Sequence, residues 1–151
     1  METANNIRTH RNTKRTEARG ALLSQGDLNA LLGEVARSVR DEEPSMREDF
    51  ALLARTLGCA IEAAERYLLP SIVAVDPVGA QNLRANHAAI RQALSSISVE
   101  FDLGVVRARR FDAVANELRR HTATAQSIVA VSGVVQSPRA LNVLLSGHCA
   151  G

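Results

Sequence analysis

Four stretches of this chain repeat apolar residues every three or four positions, the spacing that lines them along one face of an α-helix, and each is bounded by residues that start or stop helices. The first stripe is Leu28, Leu31, Leu32, Val35 and Val39. It opens at Ser24-Gln25-Gly26-Asp27, a capping-box-like start, and closes in Asp41-Glu42-Glu43-Pro44. Ser45 with Glu48 caps the second, whose stripe runs Phe50, Leu53, Leu57, Ala60 or Ile61, Ala64 and Leu68. Pro70 should end or kink it, because proline lacks the amide donor and its ring clashes with the preceding turn. Asp76-Pro77 starts the third, with aspartate as N-cap and proline in the first helical position. Its stripe is Ala80, Leu83, His87, Ile90, Leu94 and Ile97. A short connection through Phe101 to Gly104 leads to the fourth stripe: Phe111, Val114, Leu118, His121, Ala125 and Ile128, with Gly133 as its stop. Ser137-Pro138 opens a short fifth helix through Leu145. Four amphipathic helices on short links predict an all-α protein, an antiparallel up-down-up-down four-helix bundle.

Composition agrees with that class. Hydrophobic residues make up 46% of the 151, yet aromatics only 3%. Leucine, valine, isoleucine and abundant alanine supply the rest, a mixture that favours closely packed helices over sheets. The length suits one domain with a real core, placed at 21–133 with a tail over 134–151. Lys14 is the only lysine among many arginines, which reads as a GC-rich bacterial genome. A formal charge of +2 does not force a nucleic-acid partner. No run approaches the roughly 18 apolar residues of a membrane span, and the N-terminus has no apolar signal core. Cys59 and Cys149 are too few for a disulfide framework and read as free thiols of a cytoplasmic protein.

Residues 1–20 carry Arg8, His10, Arg11, Lys14, Arg15 and Arg19 with almost no apolar residue, the composition of a disordered basic arm. It is a solvated tail, or it touches nucleic acid, an anionic surface or an acidic partner. The chain offers no aromatic stacking residues or recognition motif to support a nucleic-acid role. There is also no phosphate-cradling glycine loop, no close cysteine pair and no nucleophile–histidine order beyond chance. His148-Cys149 lies near the C-terminus, poor ground for a preorganised nucleophile.

The chemistry-bearing residues are the two histidines on inner stripes, His87 and His121. One buried histidine is usually a core residue bonded to a carbonyl; two on consecutive helices of a bundle also fit a metal site built from inward-facing side chains. The segments around them resemble those of hemerythrin-like (HHE cation-binding) domains. Residues 59–70, Cys-Ala-Ile-Glu-Ala-Ala-Glu-Arg-Tyr-Leu-Leu-Pro, are similar to that family's second-helix signature: a histidine, two acidic residues four and five further on, an apolar pair and proline. Residues 86–94, with His87, resemble the third helix, and residues 118–126, with His121, the fourth. The resemblance covers roughly 22–132.

Carried over position by position, it implies a degenerate centre. The second-helix histidine falls at Ala60 and the carboxylate four residues on at Ala64, leaving Glu65 as the surviving acid. The fourth helix keeps His121 but has Ala125 and then Gln126 in place of its acids, and the first-helix histidine aligns with Leu28. Both bridging carboxylates are gone. Two iron cations need anionic oxygen ligands to balance their charge, and imidazoles neutralise nothing. The leading expectation is a non-enzymatic binding or regulatory module with no cofactor and an unknown protein partner. The alternative is an iron or zinc sensor or storage protein with a reduced site of His87, His121 and Glu65, or Cys59 in place of the acid. Glu65 and Cys59 each lie about 100° off the inner stripe on an ideal helix, and Glu65 also reads as a surface partner for an arginine. Alanines at former ligand positions leave a space that neighbours fill or that stays open, a polar cavity edged by His87 and His121 for water or a small ligand.

Overall fold

The computed structural model describes residues 24–134. The basic arm, the fifth helix expected from Pro138 and the His148-Cys149 pair lie outside the described residues. Within them the protein is all-helical and bundle-like: α1 (Gln25–Arg40), α2 (Met46–Ala63), a π-helical turn (Ala64–Leu68), α3 (Leu69–Val75), α4 (Pro77–Leu103) and α5 (Ala108–Ser132). The π turn joins α2 to α3 without a break, so the chain forms four helical rods. α1 packs on α2 and α5, α4 packs on α5 and the α2–α3 rod, and α3 also touches α5. No described helix is long and apolar enough to cross a membrane.

Local chemistry sets the boundaries. The Ser24 hydroxyl accepts the amide of Asp27 at 3.1 Å and so caps α1. Ser45 precedes α2 without a side-chain cap; its hydroxyl donates instead to Asp49, which also accepts from Ser38 and ties the end of α1 to the start of α2. Gly104 and Gly133 close α4 and α5 with φ of +69°, a left-handed cap that glycine adopts without a Cβ penalty. Pro70 does not end its helix. It cannot donate to a carbonyl one turn back, and the preceding turn widens so that the amide of Leu69 reaches Ala64, five residues behind.

The N-terminus of α4 gives a sharp test of this capping. The Asp76 carboxylate accepts the Gly79 amide at 2.9 Å, and a Cβ on Gly79 would run into that carboxylate. Gly33 and Gly58, inside α1 and α2, have nothing within 4 Å of the same added atom. Gly33→Ala and Gly58→Ala are therefore expected to stabilise by roughly 0.5–1 kcal/mol, as alanine does in a helix interior. Gly79→Ala should destabilise by about 1 kcal/mol by dislodging the cap. Thermal unfolding of the three variants decides it; a raised midpoint for Gly79→Ala would refute the cap's role.

The core divides in two along the rods. One cluster joins Leu28, Leu32 and Val35 of α1 to Phe50, Leu53 and Leu57 of α2, Ile90, Ile97 and Phe101 of α4, and Phe111, Val114 and Leu118 of α5. It holds all three phenylalanines of the chain. The other gathers Ala63, Ala64, Leu68, Leu69 and Ile72 with Ala80, Leu83, Ala125 and Val129, and draws nothing from α1. Along α4 and α5, the two buried polar residues His87 and Thr122 fall between the clusters.

Candidate functional site

At the boundary between the two clusters lies a cavity of about 40 Å³, partly open to solvent and walled by Leu57, Ala60, Ile61, Ala64, Leu83, His87, Ile90, Thr122, Ala125, Gln126 and Val129. Ala60, Ala64 and Ala125, small residues at three helical positions that face one another, leave the room. Leu83, Ile90 and Ile61 hold the wall apolar, and His87, Thr122 and Gln126 are its only polar members. Leu28, the fourth position where the sequence comparison expects a lost ligand, is fully buried in the phenylalanine-bearing cluster and is not part of this wall.

His87 is 4% exposed and is held from outside the cavity. Its Nδ1–H donates to Glu65 Oε1 at 3.2 Å, and the same carboxylate takes a two-pronged contact from Arg91, at 3.0 Å to Oε1 and 3.2 Å to Oε2. Glu65 belongs to the π turn, while Arg91 lies one helical turn beyond His87 on α4. Partial burial alone would raise the Glu65 carboxyl; hydrogen bonds and charge from Arg91, then His87, outweigh it and hold the group below its ordinary 4.5. For His87, burial pushes the ring below 6.5, the Glu65 carboxylate pulls it back and the Arg91 charge pushes it down again, with a net lowering. A neutral ring with its proton on Nδ1 presents a lone pair at Nε2. That nitrogen has no protein partner among the described residues. Thr122 carries the only buried side-chain nitrogen or oxygen without a hydrogen bond among the described residues, its Oγ1. An unmet buried hydroxyl costs about 1–3 kcal/mol unless something else serves it.

The sequence placed His121 on the inner stripe of the fourth helix; in the structure Thr122 and Val129 are buried there, with His121 and Ile128 half-buried beside them. Steps of 3 and 4 both keep to one helical face, so Leu118 connects to Ala125 through either residue 121 or residue 122, and neither is apolar enough to decide. His121 does not wall the cavity. Its Nδ1–H donates to Asn86 Oδ1 at 3.1 Å, and the Asn86 amide is oriented by its own donation to the Asn82 carbonyl at 2.8 Å. Glu65 and His87 are brought together, and Glu65 meets an arginine as the sequence suggested. Cys59 is half-buried, a free thiol outside the cavity wall. Thr122 and Arg91 were missed: a threonine within Arg-His-Thr-Ala gives no signal of burial, and the four-residue spacing of His87 and Arg91 was the available clue.

The donor set can be compared with the metal centre that the resemblance implies. Among the described residues no three histidine, cysteine, aspartate or glutamate side chains come together in a way that holds a metal. Both oxygens of Glu65 are engaged, and Ala60, Ala64 and Ala125 in the cavity wall supply no donor. These residues do not fit a di-iron centre, which needs bridging carboxylates. Comparisons with protein-family models, curated proteins and solved structures find no match to this chain.

Proposed function

We propose that this chain is a non-enzymatic binding or regulatory module: a hemerythrin-like, up-down-up-down bundle in which a ligand cavity stands where the family's metal centre would be. The observation that carries this reading is a convergence. Ala60, Ala64 and Ala125, the three positions of the second and fourth helices at which the resemblance assigns lost ligands, wall one cavity together with His87. Three unrelated surface alanines would have no reason to meet. Loss of carboxylates at two of those positions removes the negative charge two irons need, and an apolar wall resists a desolvated cation.

A second reading, an iron or zinc sensor or store around His87, has one observation in its favour. The Glu65 carboxylate fixes the imidazole by Nδ1 and leaves Nε2 as the available acceptor, as outer partners do for metal-bound histidines. Zinc sites nonetheless take three or four protein ligands, and His121 does not wall the cavity.

Elemental analysis and thermal unfolding separate the two. Protein purified aerobically is expected to hold well under one iron or zinc per chain and to unfold at the same temperature with and without chelator. Two irons per chain with oxo-bridge absorption, or a chelator-induced fall in midpoint that disappears in His87→Leu, would replace the first reading with the second.

A further inference from the structure

We propose that the cavity is covered from within the chain: Leu23, the residue before the cap of α1, seats over its open side. The inference rests on the reading above, that the space is a metal-free cavity, and adds what closes it. The open side can be placed. Among the wall residues only Ala60 of α2 and Gln126 of α5 are half-buried, and the others are buried. The opening therefore lies between α2 and α5, on the side that α1 fills in the neighbouring stretch of the bundle. α1 begins at this level. Gln25, its first residue, donates its side-chain amide to Gln126 Oε1 at 3.3 Å, and α1 adds nothing to the core cluster beyond.

Residues 21–23, Ala-Leu-Leu, lie outside the described residues, but the place from which they start is fixed, because Leu23 is bonded to Ser24. An apolar residue just before an N-cap often packs on the fourth residue of the helix. Here that pair is Leu23 and Leu28. Helical side chains lean toward the N-terminus of their helix, so the fully buried Leu28 leans toward the cavity end of α1. Leu28 also shares its core cluster with Leu57, Ile61 and Ile90 of the cavity wall. A Leu23 packed on Leu28 thus falls at the opening. The chemistry matches, since no charged side chain belongs to the wall and an apolar recess favours an apolar cover. The cover is tethered, so no second molecule has to be gathered from solution. The apolar segment from Leu141 to Leu145 is less well placed. It follows Gly133, which lies roughly 10 Å further along α5 than Gln126 at 1.5 Å per residue. A ligand reaches the cavity only by displacing Leu23, and the chain entering α1 is a gate on the site.

The test uses the full-length protein with ¹³C-labelled leucine and alanine methyl groups. The expected result is a set of nuclear Overhauser cross-peaks from the Leu23 methyls to Leu28 and also to Ala60. Leu23→Ser should lose them and should increase relaxation of the Ala60 methyl by a neutral, soluble paramagnetic probe. Leu23→Met, comparably large and apolar, should leave that relaxation as it is in the native chain. The methyls of Leu32 and Leu53, in the other part of the core, report whether the variants fold. The native-chain cross-peaks decide the matter even if Leu23→Ser does not fold. Leu23 contacts confined to Leu28, Ala60 contacts to Leu141, Leu144 or Leu145 instead, or unchanged Ala60 relaxation in a folded Leu23→Ser overturns the proposal. So does a Leu23–Ala60 contact that a mixed-label sample shows to run between two chains. Two irons per chain, by elemental analysis of the same sample, would instead remove the metal-free reading beneath it, so the two failures are told apart.

Discussion

Phe101→Ala is expected to lower the unfolding free energy by about 3–5 kcal/mol, the usual range for emptying a buried aromatic site. Net stabilities of single domains run roughly 5–15 kcal/mol, so this one change should bring the protein close to its threshold. Phe101 stands at the centre of the phenylalanine cluster among the described residues. Its ring stacks on Phe50 with centroids 4.2 Å apart and an interplanar angle of 11°, and meets Phe111 edge-on at 6.1 Å and 81°. Each such pair adds about 0.5–1.5 kcal/mol beyond area burial. The three rings bind α2, α4 and α5 at one level. Urea unfolding of Phe101→Ala, Phe50→Ala and the double variant measures both the loss and the coupling. A loss below about 1 kcal/mol for Phe101→Ala would mean the rings are not the anchor described here.

Removal of the Glu65 carboxylate is expected to have the next largest effect, about 1–3 kcal/mol at pH 7 for Glu65→Ala, because the buried Nδ1–H of His87 loses its acceptor. Glu65→Gln keeps an oxygen for His87 and should cost less. Arg91 is about half exposed and returns to solvent in either variant, so its pairing with Glu65 adds little by itself. Burial of the His87 ring sets the direction of acid sensitivity, against the pull of Glu65. The native His87 ring takes up its proton below 6.5, whereas the unfolded ring does so near 6.5. Between those two points the unfolded state binds more protons, so stability is fully present above 6.5 and falls as the pH drops through the window. Glu65, lowered from 4.5, continues the loss at more acid pH as its carboxylate is protonated. His87→Leu should therefore flatten the stability profile just below pH 6.5, and Glu65→Ala should steepen it by removing the charge that pulls the ring back up. Urea midpoints from pH 4 to 8 for the three proteins give the answer, and parallel curves would refute the assignment.

Periodicity made most of the fold legible. The stripes from Leu28 to Val39, Phe50 to Leu68 and Ala80 to Ile97 are buried except for half-buried Leu31 and Ala60, and the caps at Ser24 and Asp76 form as their residue types require, whereas Ser45 makes none. Three things were not legible, each for a physical reason. Proline at 70 signals interruption, but a helix that continues on both sides can widen by one residue instead of breaking, and tertiary packing decides between those outcomes. The fourth stripe could pass through His121 or Thr122, because the helical repeat is not a whole number and no strongly apolar residue pins it. The Glu65–His87–Arg91 group depends on contacts between residues 22 and 26 apart in sequence, which no local pattern encodes. The cavity was foreshadowed by the alanines at 60, 64 and 125, since small residues at inward positions leave volume; of the polar edge expected from His87 and His121, only His87 lines it, with Thr122 and Gln126 beside it.

The widened turn at Ala64–Leu68 has a consequence for how such a chain can change over time. A π turn holds one residue more than the α-helical turn it replaces, so shortening it by one would rotate everything behind it by about 100° relative to everything ahead. Ala60 and Ile61, which wall the cavity, would then be out of phase with Leu69 and Ile72, which hold the far end of the bundle together. Pro70 makes the longer turn the comfortable one, because it gives up the amide that a regular helix would miss. The segment is thus a phase marker: residues upstream can be exchanged for others of similar bulk, but a deletion between 64 and 68 should be rejected even though each residue there, taken singly, looks replaceable.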